Sequence, residues 1–170
     1  MSYDPKFYKI LSDVEERHWW FTSRLSLILW CLKGKVQAFE NFMEIGCGTG
    51  FVLRGIHNEF PEVSLSGTEY LEEGLFCARK KVPSACLKKL NALDMNDHQK
   101  YDSIGAFDVI EHIENDGLAL SNLAKALKRN GQVAILVMDS YGINNKNPTP
   151  HTTVPPTNAI GFRLNIKKKD

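Results

Sequence analysis

The sequence predicts an α/β chain built on a doubly wound, mostly parallel sheet with helices on both faces, and three features predict it. Asn41-Phe42-Met43-Glu44-Ile45 is an apolar run that stops in Gly46-Cys47-Gly48-Thr49-Gly50, with glycine at every second position. Its alternation marks a short buried strand, and residues without a Cβ mark a turn whose backbone comes close to a ligand. Residues 42–70 then read as strand, helix and strand over the roughly thirty residues such a unit needs. A strand running into a polar loop over 101–113 and a buried strand over 132–138 flank an amphipathic helix and extend the same alternation of elements.

Composition sets the bounds. The 170 residues suit about one domain, and 43% hydrophobic against 24% charged content is the balance of a globular chain with a real core. A net charge of +1 and a pI near 7.7 give no general field that would draw nucleic acid. Arg79-Lys80-Lys81, Lys88-Lys89 and Lys167-Lys168-Lys169 are short runs that read as solvated faces or a tail. Cys31, Cys47, Cys77 and Cys86 show no C-x-x-C spacing and no nearby histidine pair, so they suggest free thiols in a reducing compartment and no metal site. The amino terminus has no basic stretch followed by an apolar one, and residues 25–32 are too few to span a bilayer, so a cytoplasmic protein is expected.

Residues 7–18 predict an amphipathic helix, with Phe7, Tyr8, Ile10, Leu11 and Val14 on one side and Asp13, Glu15, Glu16 and Arg17 on the other. His18-Trp19-Trp20-Phe21 follows, and residues 23–30 form a second helix rich in large apolar groups. Three aromatics in succession cannot all face one core, so either some of them line a cavity or roof a ligand, or they serve packing alone.

At the glycine loop the following helix, from about Phe51, points its N-terminus at the space the glycines leave open. Spacing separates the cofactor classes. In a G-x-G-x-x-G dinucleotide fingerprint starting at Gly46 the third glycine would fall at Phe51, so a nicotinamide-dependent dehydrogenase is disfavoured. Glu69, at the end of the second strand and about twenty residues past Gly50, is placed to accept from both hydroxyls of a ribose, because a carboxylate offers two oxygens to a diol's two donors. The other reading of Glu69 is a cap for the helix through 71–75. A helix over 71–82 ended by Pro83, a weak third strand within 85–94, a helix over 117–130 stopped by Asn130-Gly131, and a buried strand over 132–138 complete the order.

Glu44-Ile45-Gly46-Cys47-Gly48-Thr49-Gly50 resembles the first motif of the class I S-adenosylmethionine-dependent methyltransferases, and Phe107-Asp108-Val109-Ile110-Glu111-His112-Ile113 resembles the fourth motif of their small-molecule subgroup (type 11/12-like). The resemblance runs over residues 7–138 and implies a Rossmann-like fold that binds S-adenosylmethionine and releases S-adenosylhomocysteine. It implies that Arg24 helps hold the cofactor's carboxylate, that Asp94 accepts from the adenine amino group beside Met95, and that Phe107 and Asp108 lie beside the transferable methyl. The implied cofactor set is Arg24, Glu44, Gly46, Cys47, Gly48, Gly50, Glu69, Tyr70, Asp94, Met95, Phe107 and Asp108, with no metal. His112 is the candidate catalytic residue: a neutral imidazole could take the proton of a hydroxyl acceptor, a contribution of ~10² to 10⁴ in rate, or else its ring nitrogens orient the loop.

The expected organisation is a helical cap over 1–40, a cofactor-binding core over 41–139 and an irregular tail over 140–170. The tail holds Pro148, Pro150, Pro155 and Pro156 and only one strand-like run, residues 161–166. The family's complete sheet has seven strands, so the tail reads as a truncated, alternatively spliced or altered end that leaves the fifth strand with an open edge. The expected function is methyl transfer to an O, N or S acceptor on a small molecule or protein. Its alternative is a non-catalytic S-adenosylmethionine-binding or regulatory partner. No feature marks a nucleic acid or a membrane as the target.

Overall fold

The computed structural model describes residues 6–35, 39–137 and 161–164. Its elements are α1 (Lys6–Val14), α2 (Trp19–Lys35), β1 (Asn41–Ile45), α3 (Phe51–Glu59), β2 (Ser64–Glu69), α4 (Glu72–Lys81), β3 (Cys86–Lys89), β4 (Tyr101–Phe107), α5 (Asp116–Ala126), β5 (Leu127–Val137) and β6 (Gly161–Leu164), with 3-10 turns at Ala92–Asp94 and Ile110–His112. The sheet order is β3-β2-β1-β4-β5-β6. The first five strands pair in parallel and β6 pairs antiparallel with β5. The chain builds outward from β1 to β3 and then returns to lay β4 on the other side of β1. In such a sheet the carboxyl ends of β1 and β4 border the switch-point crevice where ligands bind.

Period-two alternation divides the apolar side chains between the two faces. On one side Phe42, Leu53, Ile56 and Leu65 pack with Ile28 and Leu32 of α2 and with Ala78 of α4. On the other, Met43, Ile45 and Ile104 pack with Leu123 and Ala126 of α5. Helices therefore cover both faces, and the doubly wound α/β class predicted from the sequence is the one observed.

Three local expectations change. The predicted helix over 117–130 ends at Ala126: the carbonyls of Lys125 and Ala126 accept from the backbone N–H groups of Gln99 (2.9 Å) and Lys100 (2.8 Å), and Leu127 already pairs with Tyr101 as strand. Asn130, at φ 65°, and Gly131 form no helix stop: they sit inside β5 where the register shifts against β4, so Lys128 and Arg129 belong to the strand. Strand pairing outweighs helix propensity there.

The outer edge of β5 is also not bare, because Gly161–Leu164 pairs along Ala134–Val137. Met138, the tail over 140–158 and residues 165–166 of the expected last strand lie outside the described residues. Finally, α1 does not bury the face its pattern marks: Phe7, Ile10 and Val14 are exposed, whereas Glu15, expected on the solvent side, is 3% exposed. Trp19 is likewise open to solvent. Among the described residues no helix is long and apolar enough to cross a membrane.

Candidate functional site

The glycine loop takes its shape from backbone that L side chains resist. Gly46, Gly48 and Gly50 have φ of 63°, 52° and 80°. The loop is tied down by Cys47 N–H to the Thr68 carbonyl and Gly50 N–H to the Cys47 carbonyl, both at 2.8 Å. A Cβ at Gly50 would lie 2.9 Å from Ala78 Cα, backbone of α4 that cannot step aside, whereas one at Gly48 would meet nothing within 4 Å. The loop is thus packed from behind at Gly50 and open at Gly48. We expect Gly50→Ala to cost about 1–3 kcal/mol through the left-handed φ and the overpacking of α4, read as a lower denaturation midpoint at unchanged m.

Glu69 ends β2 against this loop. Its Oε2 accepts from Gly48 N–H at 2.9 Å, and its Oε1 accepts from Tyr70 N–H at 2.8 Å, Leu71 N–H at 3.0 Å and the Tyr8 hydroxyl at 3.4 Å. Glu69 thus bonds the turn that precedes α4, short of the helix's own first N–H groups, and faces the glycine loop. The Gly48 N–H, expected to face a ligand, is bonded to this carboxylate. Cys47 sends its side chain into the core, where burial pushes its thiol pKa well up, so only its backbone belongs to the loop surface.

Glu44 stands one strand position before the loop. Its cross-strand neighbours are Gly67 and Gly105. The space those glycines leave is filled by Leu53, Leu87 and Cys47 on one side and by the rings of Phe107 and Phe42 on the other. This apolar envelope pushes the Glu44 carboxyl up to about 8, with the Arg24 charge opposing the shift and Glu69 adding to it. Its Oε2 is buried and finds no hydrogen-bond partner among the described residues, the kind of orphan that calls for a ligand.

Across the crevice, Arg24 of α2 donates through Nε to Asp108 Oδ2 at 2.5 Å and through Nη2 to the Phe107 carbonyl at 3.1 Å. Its guanidinium lies 5.6 Å from the Trp20 ring. Asp108, the first residue past β4, has φ 57°, an uncommon conformation outside glycine that is often stored at functional sites. Its own N–H donates to the Leu136 carbonyl at 2.7 Å, which fixes the bend. A residue of α2 is therefore anchored to the carboxyl end of β4, beside β1.

Beyond β3, Asn91 caps the turn that holds Asp94, its Oδ1 accepting from Leu93 N–H at 3.0 Å, and Asn122 of α5 donates to the Leu93 carbonyl at 2.9 Å. Asp94 is exposed and Met95 buried. Tyr70 is exposed. His112 closes the turn after β4, exposed, with its N–H on the Val109 carbonyl at 3.0 Å. Among the described residues no group of three or more His, Cys, Asp or Glu could hold a metal ion.

The docking of α1 on the loop rests on contacts with no signature in the sequence. Glu15 Oε1 accepts from Thr49 Oγ1 at 2.5 Å and from Lys81 Nζ. Lys81 Nζ also donates to the Ser12 carbonyl at 3.2 Å, and Arg54 Nη1 donates to Glu16 Oε1 at 2.8 Å. Glu15 and Lys81 lie 66 positions apart, and no local pattern joins residues so distant.

Residues 43–133, more than half of the chain, match the methyltransferase domain family. Among solved structures, the plantazolicin methyltransferase BpumL in complex with S-adenosylhomocysteine is similar at 27% identity and a TM-score of 0.65, over 79% of this chain and 54% of that one. DesVI of Streptomyces venezuelae is similar at 21% identity and 0.65, over 81% and 59%. A candidate S-adenosylmethionine-dependent methyltransferase of Methanococcus maripaludis follows at 15% and 0.71, over 79% and 64%. The last two likenesses show the fold alone. The chain spans about half the length of BpumL, and no curated protein sequence matches it significantly.

Proposed function

We propose that this chain, which belongs to the methyltransferase domain family, binds S-adenosylmethionine at the carboxyl ends of β1, β2 and β4 and directs methyl transfer to an O, N or S atom of a small-molecule or protein acceptor. The observation that carries this reading is the glycine loop after β1 with the Glu69 carboxylate 2.9 Å from Gly48 N–H at the switch-point side of the sheet. The residues present fit the cofactor: the loop is open at Gly48, and Glu44 holds a buried carboxyl oxygen with no hydrogen-bond partner among the described residues.

When bound, the cofactor supplies an electrophilic methyl on a sulfonium. The chain's own residues bind and align. Gly46, Cys47, Gly48 and Gly50 offer backbone, Glu44 and Arg24 serve the methionine end, Glu69 with Tyr70 serves the ribose, and Asp94 with Met95 serves the adenine. Phe107 and Asp108 border the reacting end, and His112 accepts the proton where the acceptor is a hydroxyl. Holding an acceptor in line can lower the barrier by ~7–11 kcal/mol, so alignment outweighs base catalysis. Cys31, Cys47, Cys77 and Cys86 are thiols outside any disulfide, which suits a reducing cytoplasm.

Calorimetric titration with S-adenosylmethionine, S-adenosylhomocysteine and NAD tests the reading. The two methionine-derived ligands are expected to bind, and Glu69→Ala to weaken them about 30- to 100-fold, as hydrogen bonds to a charged group are lost. A folded chain that binds none of them, or binds NAD alone, overturns it.

A further inference from the structure

Tyr8 is the side chain on α1 that reaches the proposed ribose site. It is 8% exposed, and its hydroxyl donates to Glu69 Oε1 at 3.4 Å. The slot it fills is opened by a glycine inside a helix: a Cβ at Gly74 of α4 would lie 2.8 Å from Tyr8 Cε1, 2.9 Å from Glu69 Cγ and 3.0 Å from the Gly48 carbonyl. Glycine within a helix costs about 1 kcal/mol relative to alanine, so this one marks a close approach that the fold requires. The ring, the carboxylate and the glycine loop thus converge on one point.

Acceptor capacity then decides what a ligand must do. An ionised carboxylate offers about four lone-pair positions. Glu69 already accepts from Gly48 N–H, Tyr70 N–H, Leu71 N–H and the Tyr8 hydroxyl. A ribose diol can place one donor on Oε2, which accepts from Gly48 N–H alone, but its second donor reaches Oε1, already holding three donors, only if one of those leaves. The three N–H groups belong to backbone held by the loop and the turn into α4, whereas the tyrosine hydroxyl sits on a rotatable side chain and makes the longest of the four bonds.

We propose that the Tyr8 hydroxyl holds a ribose-accepting position on Glu69 Oε1 while the site is free of ligand and is displaced from it by the ligand's diol, so that this one side chain gates the cofactor site. This inference rests on the reading of Glu69 as the ribose acceptor. The rest of α1 stays anchored through Glu15, Thr49 and Lys81, which confines the exchange to the Tyr8 side chain. Tyr8 therefore competes with the ligand and does not assist it.

The test compares the chain and Tyr8→Phe, which keeps the ring on Gly74 and removes only the hydroxyl, by calorimetric titration with S-adenosylhomocysteine and with its 2′,3′-dideoxy analogue. Expected is a gain of about two- to fivefold in affinity for S-adenosylhomocysteine in the variant, the worth of one weak hydrogen bond, and no gain for the dideoxy analogue. Equal or weaker binding of S-adenosylhomocysteine by a variant that melts like the parent overturns the proposal and leaves the methyltransferase reading standing. A gain of the same size for both ligands also overturns it, since ring packing and not the diol would then be responsible. No binding of S-adenosylhomocysteine by the parent chain overturns both.

Discussion

Lys81→Met is expected to destabilise the chain by about 3–5 kcal/mol, the cost of leaving a buried charge without its partner. The Lys81 and Glu15 side chains are 10% and 4% exposed. Lys81 Nζ bonds the Glu15 carboxylate and the Ser12 carbonyl, and Glu16 Oε1 lies 4.0 Å away. Methionine fills most of the lysine's volume but returns none of these contacts, so Glu15 is left facing Thr49 alone.

The double variant Glu15→Gln with Lys81→Met separates charge from packing. Glutamine still accepts from Thr49 and carries no charge, so the double variant is expected to recover most of the loss, since replacing a whole buried pair is often near neutral. Urea denaturation of all four members of the cycle measures this. A single variant within about 1 kcal/mol of the parent would show that water reaches the pair and that α1 is held by other contacts. The consequence for the site is direct, because Glu15 joins α1 to Thr49 in the middle of the glycine loop.

What the sequence made legible follows from how few residues satisfy each local demand. Three backbone positions at positive φ admit little but glycine, so Gly46, Gly48 and Gly50 announce the loop and, with the strand before them, the sheet. The mostly apolar runs at 42–45 and 101–107 show because both faces of those strands are covered. The end of α5 was illegible because Leu127 pairs with Tyr101, a tertiary choice that its helix-forming neighbours do not reveal. The docking of α1 was illegible for the same kind of reason. Its apolar stripe suggested a buried face, but the side chains that anchor it are Tyr8 and Glu15, matched to Glu69 and Lys81 far along the chain. The candidate site was legible as a set of residues near strand ends. That Glu69 Oε1 already accepts three of the chain's own donors, and that Arg24 is bonded to Asp108, are relations only the fold supplies.

Glu44→Gln is expected to gain stability over the parent as pH rises, by a few kcal/mol between pH 5 and pH 9. The sign follows from the shift. Burial among Leu53, Leu87, Phe42 and Phe107 raises the folded-state pKa of Glu44 from 4.5 to about 8. Between those values the folded chain keeps a proton that the unfolded chain has released. Stability is therefore full below about pH 4.5 and falls with rising pH, at up to ~1.4 kcal/mol per unit, until the folded carboxyl ionises near 8. Glutamine has nearly the same shape and no proton to lose, so the variant lacks this slope and the difference between the two chains carries it, while groups that titrate alike in both cancel. Urea titrations of both at pH 5, 7 and 9 read that difference. A constant offset across the three would mean that Glu44 is ionised at neutral pH, stabilised by Arg24 despite its apolar surroundings. A slope of the expected sign leaves a neutral carboxyl beside the glycine loop at physiological pH. Any cation that settles there would then lower its pKa and release a proton, so ligand binding at this site would itself depend on pH.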